Sequence, residues 1–384
     1  MNRFLSLALA ALLLAPCVSA ADLPASAAPS GPETAAASAV LMEKESGAVL
    51  YEKDARQKLE PASVTKIMTL LLIMEALDSG RIARDDMVTV SAYAAGMGGS
   101  QVYLKEGEQM SVSELLKCIT VVSGNDAAVA MAEYLSGSEA AFVAEMNLRA
   151  RELGMADTNF VNCTGLPAQG HLTSAHDIAL MSRELILNHP SIREYTTIWM
   201  DSIRGGQFQL ANTNKLVRFY EGATGLKTGS TDAAGYCLSA TAERDGMELI
   251  AVVLKAKTSE QRFESAKSLL NFGFANYTLT DVYPGQALPP VDVLLGEQDT
   301  VQPVLAQSSR ILVDKAQLND VTSELRLCEN VEAPVEQGQK LGEMVISVGG
   351  QEQQTIPIVA DRAVARLTLP GIFSRFLKTL FMAE

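Results

Sequence analysis

The sequence predicts an α+β fold: an antiparallel sheet covered by helices, followed by a small all-β domain. Two observations carry this. Strand-like apolar runs stand on either side of a long centre whose apolar residues recur at helical spacing. After Tyr283-Pro284-Gly285 the helical spacing stops, and short alternating stretches such as Met344-Val345-Ile346-Ser347-Val348 take over, separated by turns such as Glu336-Gln337-Gly338-Gln339.

The first residues read as a leader. Residues 1–20 hold one early cation, Arg3, then an almost wholly apolar run from Phe4 to Pro16, then Val18-Ser19-Ala20, the small-residue ending of an export signal. The apolar run is too short to span a bilayer. Cys17 follows Pro16, where a lipidation site would prefer a small residue, so it belongs with the leader. Residues 21–37, rich in Ala, Ser and Pro, read as a flexible linker. The body opens with two short apolar runs around Ser46-Gly47, a hairpin signal.

Residues 61–77 read as a helix whose apolar side chains, among them Ile67, Leu70, Leu71 and Ile73, cover nearly its whole circumference. Such a helix is expected inside its own domain. Ser63 and Lys66 are three apart and share a face, so the lysine can reach the hydroxyl. A free lysine titrates at about 10.4, and burial is what would bring it down to the range of a base. Taken alone, Ser63 also suits a helix cap.

A second motif, Ser123-Gly124-Asn125-Asp126, interrupts two helical runs at 114–122 and 127–132. It can carry Ser123 and Asn125 into a cleft, although the same composition suits an ordinary turn. The third, Lys227-Thr228-Gly229, follows Gly222 and Gly225 and precedes a strand-like stretch at 233–242. On a strand Lys227 and Gly229 share one face and Thr228 takes the other; a plain sheet-edge lysine is the alternative. Further helices are expected at 142–153, 177–187 and 262–277, with a strand at 247–254.

The three motifs occur in order, with 60 residues from Ser63 to Ser123 and 104 from Ser123 to Lys227. Together they offer a nucleophile, a base, a hydroxyl relay and a cationic shelf for a carboxylate. With the flanks Glu60-Pro61-Ala62-Ser63 and Gly225-Leu226-Lys227-Thr228-Gly229, the chain from about Ser38 onward resembles the serine-type D-alanyl-D-alanine carboxypeptidases, the low-molecular-mass penicillin-binding proteins. The resemblance implies a transpeptidase and β-lactamase-like catalytic domain over 38–281, a β-rich domain over 282–369 and no cofactor. It implies Ser63 as acylated nucleophile, Lys66 as its base, and Ser123 and Asn125 as proton relay and substrate-amide holder. Lys227, Thr228 and Gly229 would face the substrate's terminal carboxylate, with Arg262 helping to place it. The backbone N–H groups of Ser63 and Ser230 would form the oxyanion hole. Peptidoglycan stem peptides are the implied substrate, with β-lactams as inhibitors. Asp177 matches an acidic residue near the site in similar enzymes, but Ser174-Ala175-His176-Asp177 also reads as a capping box, which is the preferred reading.

Composition bounds the partners. The formal net charge is −14, and loss of Arg3 with the leader makes it −15, which argues against nucleic acid. Cys118, Cys163, Cys237 and Cys328 lack metal-site spacing; Cys118 and Cys237 read as buried small apolar residues, and no pairing is assigned. His171, His176 and His189 share no ligand spacing on one face, so no metal is expected. Asn162-Cys163-Thr164 matches a glycosylation sequon and is read as chance. The tail, residues 370–384, places Phe373, Phe376, Leu377, Leu380 and Phe381 on one stripe, with Arg375, Lys378 and Thr379 elsewhere. That is the pattern of a helix lying in a membrane surface, and the expected location is the extracytoplasmic face of the cytoplasmic membrane.

Two other functions use similar residues. A class A β-lactamase needs a deacylating glutamate, usually with an asparagine four residues on, and neither Glu152 nor Asp157 has that partner. A D,D-endopeptidase would use the same constellation on a crosslinked substrate. A non-catalytic cell-wall protein is disfavoured by the intact motifs.

Overall fold

The computed structural model describes residues 31–381 apart from Glu33 and Gln286. The expected export signal at 1–20 and the linker up to residue 30 lie outside the described residues. The end of that linker is packed: Lys53 Nζ donates to the Thr34 and Ala36 carbonyls at 3.0 and 2.8 Å, and Ala36 is buried.

Five strands form an antiparallel sheet in the spatial order Val49–Lys53, Ser38–Glu43, Met247–Ala256, Gly235–Arg244, Ala223–Thr231. Val40 pairs with Val252, so strands from both sequence ends meet in the middle. Met247–Ala256 is buried at every position but one because helices cover both faces. Leu249, Ala251 and Val253 pack against Phe263, Leu269 and Leu270 of the Ser259–Asn276 helix. Ile250, Val252 and Leu254 face the other way, into the core built on the Lys66–Asp78 helix.

The Lys66–Asp78 helix is buried from Lys66 to Met74, as its all-round apolar sequence predicts. Its entry differs from the expectation of a continuous helix from 61. Ala62–Thr65 form a 3₁₀ turn, in which residues three apart eclipse, so Ser63 and Lys66 remain stacked. No side chain caps this start, which removes the capping reading of Ser63. The second motif links helices Val112–Val121 and Asn125–Ser136, the latter starting at Asn125.

Helices Glu139–Glu152, Ala175–Asn188 and Ser259–Asn276 each begin two or three residues before the expected start. Their caps Ser138, Ser174 and Thr258 precede the first large apolar residues, Phe142, Ile178 and Phe263, by four or five positions, so periodicity alone sees each helix late. Only half of the expected capping box forms. Ser174 Oγ accepts the Asp177 N–H at 3.2 Å, but the Asp177 carboxylate accepts from Asp157 N–H and Thr158 Oγ1, both at 2.8 Å. Asp177 therefore fastens the start of the 157–173 loop. The four cysteines Cys118, Cys163, Cys237 and Cys328 are free, and only Cys328 is exposed.

The C-terminal part is all-β up to its last helix. A four-stranded sheet, Pro303–Leu305, Gln351–Ala360, Lys340–Val348, Val321–Leu327, packs Met344, Ile346, Ile356 and Ile358 into its own core. Strand Tyr277–Asp281 continues the Ser259–Asn276 helix and pairs with Arg310–Asp314. The last helix, Leu369–Phe381, leaves Leu369, Phe373, Phe376 and Phe381 at least 59% exposed. No described helix is long and apolar enough to cross a membrane.

Candidate active site

Lys66 is the hub. It is wholly buried, and its Nζ donates to Ser63 Oγ at 3.1 Å, Asn125 Oδ1 at 2.5 Å and the Thr164 carbonyl at 2.8 Å. Three acceptors satisfy three ammonium hydrogens, which is what allows the group to sit out of water. Burial still penalises the charge, and lowers the pKa from 10.5 to about 7, opposed more weakly by the neighbouring Cys163 and Asp126. A lysine so tuned is neutral often enough near pH 7 to accept a proton from the hydroxyl beside it.

Each partner is held in turn. Asn125 donates through Nδ2 to the Gly98 carbonyl and through its backbone N–H to the Ser100 carbonyl, both at 2.7 Å. The neighbouring Asp126 accepts the N–H groups of Val102 and Leu104, fastening the same loop. Ser123 stands in the left-handed region at φ +63°, with a buried hydroxyl that has no partner. A buried hydroxyl without a partner is costly unless a bound molecule supplies one.

The third motif lies on the Ala223–Thr231 strand, and its Lys227 is buried, unlike a plain sheet-edge lysine. Lys227 Nζ donates to the Thr228 carbonyl at 2.9 Å. Burial, then the nearby positive charges of Lys66 and Arg262, push its pKa well below the ordinary lysine value. Thr228 Oγ1 lies 2.7 Å from Thr213 Oγ1. The Arg262 guanidinium lies under Tyr236 and Phe263 and donates to Ser259 Oγ at 3.0 Å and, at 3.4 Å, to the Gly229 and Cys237 carbonyls. It is thus tied to the same strand, while its Nε is buried without a partner.

Gly229 explains the motif's third residue by contact. A Cβ there would stand 2.8 Å from Ser63 N and 2.9 Å from Val64 N, so only glycine lets the strand reach the Ser63 turn. Ser230, next along, is exposed at the end of this contact. Gly165 does the same from the opposite side: at φ +82°, its Cβ would fall 1.8 Å from the Ala62 carbonyl oxygen.

The structure joins Ser63, Lys66 and Asn125 through the Lys66 amine, brings the Lys227-Thr228-Gly229 strand against the Ser63 turn at Gly229, and ties Arg262 to that strand. Ser123 lies two residues before Asn125 and Ser230 follows Gly229, whereas Asp177 holds Asp157 and Thr158 instead. Sequence reasoning missed the Thr164 carbonyl, Thr213 and Gly165. A signal for two of them existed in Asn162-Cys163-Thr164-Gly165, set aside as a chance sequon. Asn162 Oδ1 accepts the N–H groups of Thr164 and Gly165 at 3.2 and 2.7 Å, the turn that presents the Thr164 carbonyl. Glu152 bonds to Arg149, and Asp157 pairs with Arg56 and Lys58, so neither acid joins Lys66. Among the described residues Glu75, Glu184 and His189 bring three ligand-type atoms within 4.8 Å of one another. The Arg149 guanidinium already bonds both glutamates, away from the three motifs.

Residues 25–258 match the D-alanyl-D-alanine carboxypeptidase family, and residues 277–366 match the C-terminal domain of penicillin-binding protein 5. The chain is 45% identical to the D-alanyl-D-alanine carboxypeptidase DacF of Bacillus subtilis over 85% of each chain. This chain belongs to the D-alanyl-D-alanine carboxypeptidase family. It is a serine-type hydrolase of that family, with the fold expected from its motifs. The structure of penicillin-binding protein 5 from Haemophilus influenzae superposes with a TM-score of 0.76 at 31% identity, covering 87% of this chain and 99% of that one. Penicillin-binding protein D2 of Listeria monocytogenes, solved in an ampicillin-bound form, covers 63% of this chain and 98% of its own, at 35% identity and a TM-score of 0.58.

For this carboxypeptidase, Gly229→Ala should lower kcat/KM on a D-Ala-D-Ala peptide by about 10²-fold, because the new methyl displaces the Ser63 turn. Circular dichroism should remain that of the parent. A fully active Gly229→Ala enzyme would show that the close approach does not matter.

Proposed function

We propose that this carboxypeptidase removes the terminal D-alanine of peptidoglycan stem pentapeptides through an acyl-enzyme on Ser63, and that β-lactams acylate the same serine. The observation that carries the proposal is the 3.1 Å contact between Ser63 Oγ and a buried Lys66 whose pKa lies at about 7. Lys66 takes the hydroxyl proton as Ser63 Oγ bonds to the scissile carbonyl carbon. The backbone N–H groups of Ser63 and Ser230 receive the developing oxyanion. As the C–N bond breaks, a proton reaches the leaving amine through Ser123, whose unpartnered hydroxyl is free for that relay. Asn125 holds the substrate amide. Water then attacks the ester, its proton passing to Lys66, and the shortened peptide leaves with Ser63 restored.

Lys227, Thr228, Gly229 and Arg262 form the carboxylate end of the site. A substrate carboxylate brings the charge that favours protonated Lys227, and the Thr228 hydroxyl, 2.7 Å from Thr213 Oγ1, stands beside it in the motif. We further infer that the protein is exported and rests on the extracytoplasmic membrane surface through Leu369–Phe381. Full burial of one large apolar side chain is worth about 1.5–3 kcal/mol, and Leu369, Ile372, Phe373, Phe376, Leu380 and Phe381 all stand exposed on that helix.

A labelled penicillin should map to Ser63 by mass spectrometry, and its acylation rate should rise about tenfold per pH unit below pH 7 and then level. The sign follows from the depressed pKa, since the neutral amine is the base and is lost as pH falls below about 7. Label on another residue, or a rate flat from pH 5 to 8, as rough bounds, would refute the assignment.

Arg262→Ala should lower kcat/KM for a peptide ending in free D-alanine by about 10- to 100-fold and leave the poorly cleaved C-terminal amide nearly unchanged. Equal losses on both substrates would assign Arg262 to the fold instead.

Deleting residues 369–384 should abolish sedimentation with phospholipid vesicles while preserving hydrolysis of a soluble peptide. If the shortened protein pelleted as before, the tail would not be the anchor.

A further inference from the structure

The peptide joining Ala62 to Ser63 carries two groups that point opposite ways, the Ala62 carbonyl and the Ser63 N–H. Fixing one aims the other. Ala62 is buried and held in the left-handed region at φ +48°, a conformation that a residue with a Cβ keeps only when its surroundings impose it.

A buried chain of hydrogen bonds imposes it. Thr65 Oγ1 donates to the Ala62 carbonyl at 2.8 Å, so its hydrogen is spent and its lone pairs face elsewhere. His171 Nε2 lies 2.8 Å from that oxygen. The direction of this contact is set at the far side of the ring. His171 Nδ1 accepts the Val161 N–H at 3.0 Å, so a neutral imidazole must carry its hydrogen on Nε2 and donate it to Thr65. Burial lowers the imidazole pKa to about 4, which keeps the ring neutral and in that one tautomer near pH 7. The chain therefore runs one way, from the Val161 N–H through His171 and Thr65 to the Ala62 carbonyl. Gly165, from the same loop as His171, closes on that carbonyl and leaves it no room to swing.

We propose that His171 is a positioning residue for the oxyanion hole: through Thr65 and the Ala62–Ser63 peptide it aims the Ser63 N–H at the developing negative charge. This rests on the assignment of the Ser63 N–H to the oxyanion hole made above. It also gives the 157–173 loop two points of action on the chemistry, the Thr164 carbonyl on the base and His171 on the electrophilic side.

The test uses the full chain. Stopped-flow acylation by a fluorescent penicillin separates non-covalent affinity from the acylation rate constant. A pair of depsipeptide substrates, identical except for oxygen or sulfur at the scissile carbonyl, reports on the oxyanion hole, because sulfur accepts backbone N–H groups poorly.

His171→Phe keeps the ring volume and removes both polar atoms. It should lower the acylation rate constant about 10- to 100-fold, shift non-covalent affinity by less than about twofold, and reduce the oxygen-to-sulfur rate ratio. His171→Gln, which offers an acceptor beside a donor, should recover the rate to within about threefold. Thr65→Val should reproduce the loss, and combining it with His171→Phe should add nothing, since both break one chain.

Three results would overturn the proposal. They are an unaltered acylation constant in Thr65→Val or folded His171→Phe, additive losses in the double variant, and equal losses on both depsipeptides with an unchanged ratio, which would mark His171 as a support of the fold alone. Should His171→Phe not fold, Thr65→Val and His171→Gln decide the matter alone. A parent enzyme that cleaves both depsipeptides equally would instead remove the oxyanion-hole assignment itself, and this proposal with it.

Discussion

The enclosed ammonium group of Lys66 is the constraint on which the rest of the catalytic domain depends. Taking such a charge out of water costs several kcal/mol even after relaxation, and the cost is tolerable only where every hydrogen finds an acceptor. Those acceptors come from three separate stretches of chain: Ser63 on the entry turn, Asn125 at the start of a helix, and Thr164 in a loop. The helix that carries Lys66 is apolar all round because it must run through the middle of the domain to deliver the amine there. The same burial that endangers the fold is the source of the lowered pKa. Stability is given up at the residue where reactivity is needed.

The second constraint is closeness of backbone. The motif strand, the entry turn and the 157–173 loop approach one another at Gly229, Ala62 and Gly165, where any Cβ on the two glycines would clash with peptide atoms. Main-chain groups, which side-chain chemistry cannot replace, are what this packing brings forward. The N–H groups assigned to the oxyanion hole and the carbonyl that holds Lys66 all belong to it. This explains how Asp177, far along the chain, matters to the site without entering it. By gripping Asp157 and Thr158 it fixes one end of the loop that supplies the Thr164 carbonyl and His171.

Much of this was legible in the sequence, and unevenly so. Ser63, Lys66, Ser123, Asn125, Lys227, Thr228 and Arg262 announce themselves because their chemistry resides in side chains at motif spacing. The sheet was legible because Leu249–Leu254 is an unbroken apolar run containing Ile250, Val252 and Val253, and the β-rich C-terminal part because its strands alternate. The entry turn was read as α-helix because a 3₁₀ turn and an α-turn put residues three apart on nearly the same face. The Thr164 carbonyl was invisible because a backbone acceptor has no residue type. His171 was set aside for lacking metal-ligand spacing, although its partners Thr65 and Val161 are 106 and 10 residues away. A hydrogen-bond chain that crosses such distances leaves no periodic trace.

The proposed mechanism also bears on what happens after acylation. Neither Lys66 nor Ser63 donates a hydrogen bond to a carboxylate among the described residues, so on this mechanism the base available to activate a deacylating water is Lys66 again. On the proposed mechanism the D-alanine that leaves a peptide substrate vacates the space beside the Ser63 ester, and water can enter where it departed. A β-lactam is a cyclic amide, and opening its ring leaves the amine joined to the acyl group. The same space then stays filled, and the amine lies where the water should stand. Nothing in the catalytic residues has to change for the two esters to part in fate. On the proposed mechanism, one small site with a single base, and with no carboxylate bonded to it among the described residues, would suffice to make a stem peptide a substrate and a penicillin an inhibitor.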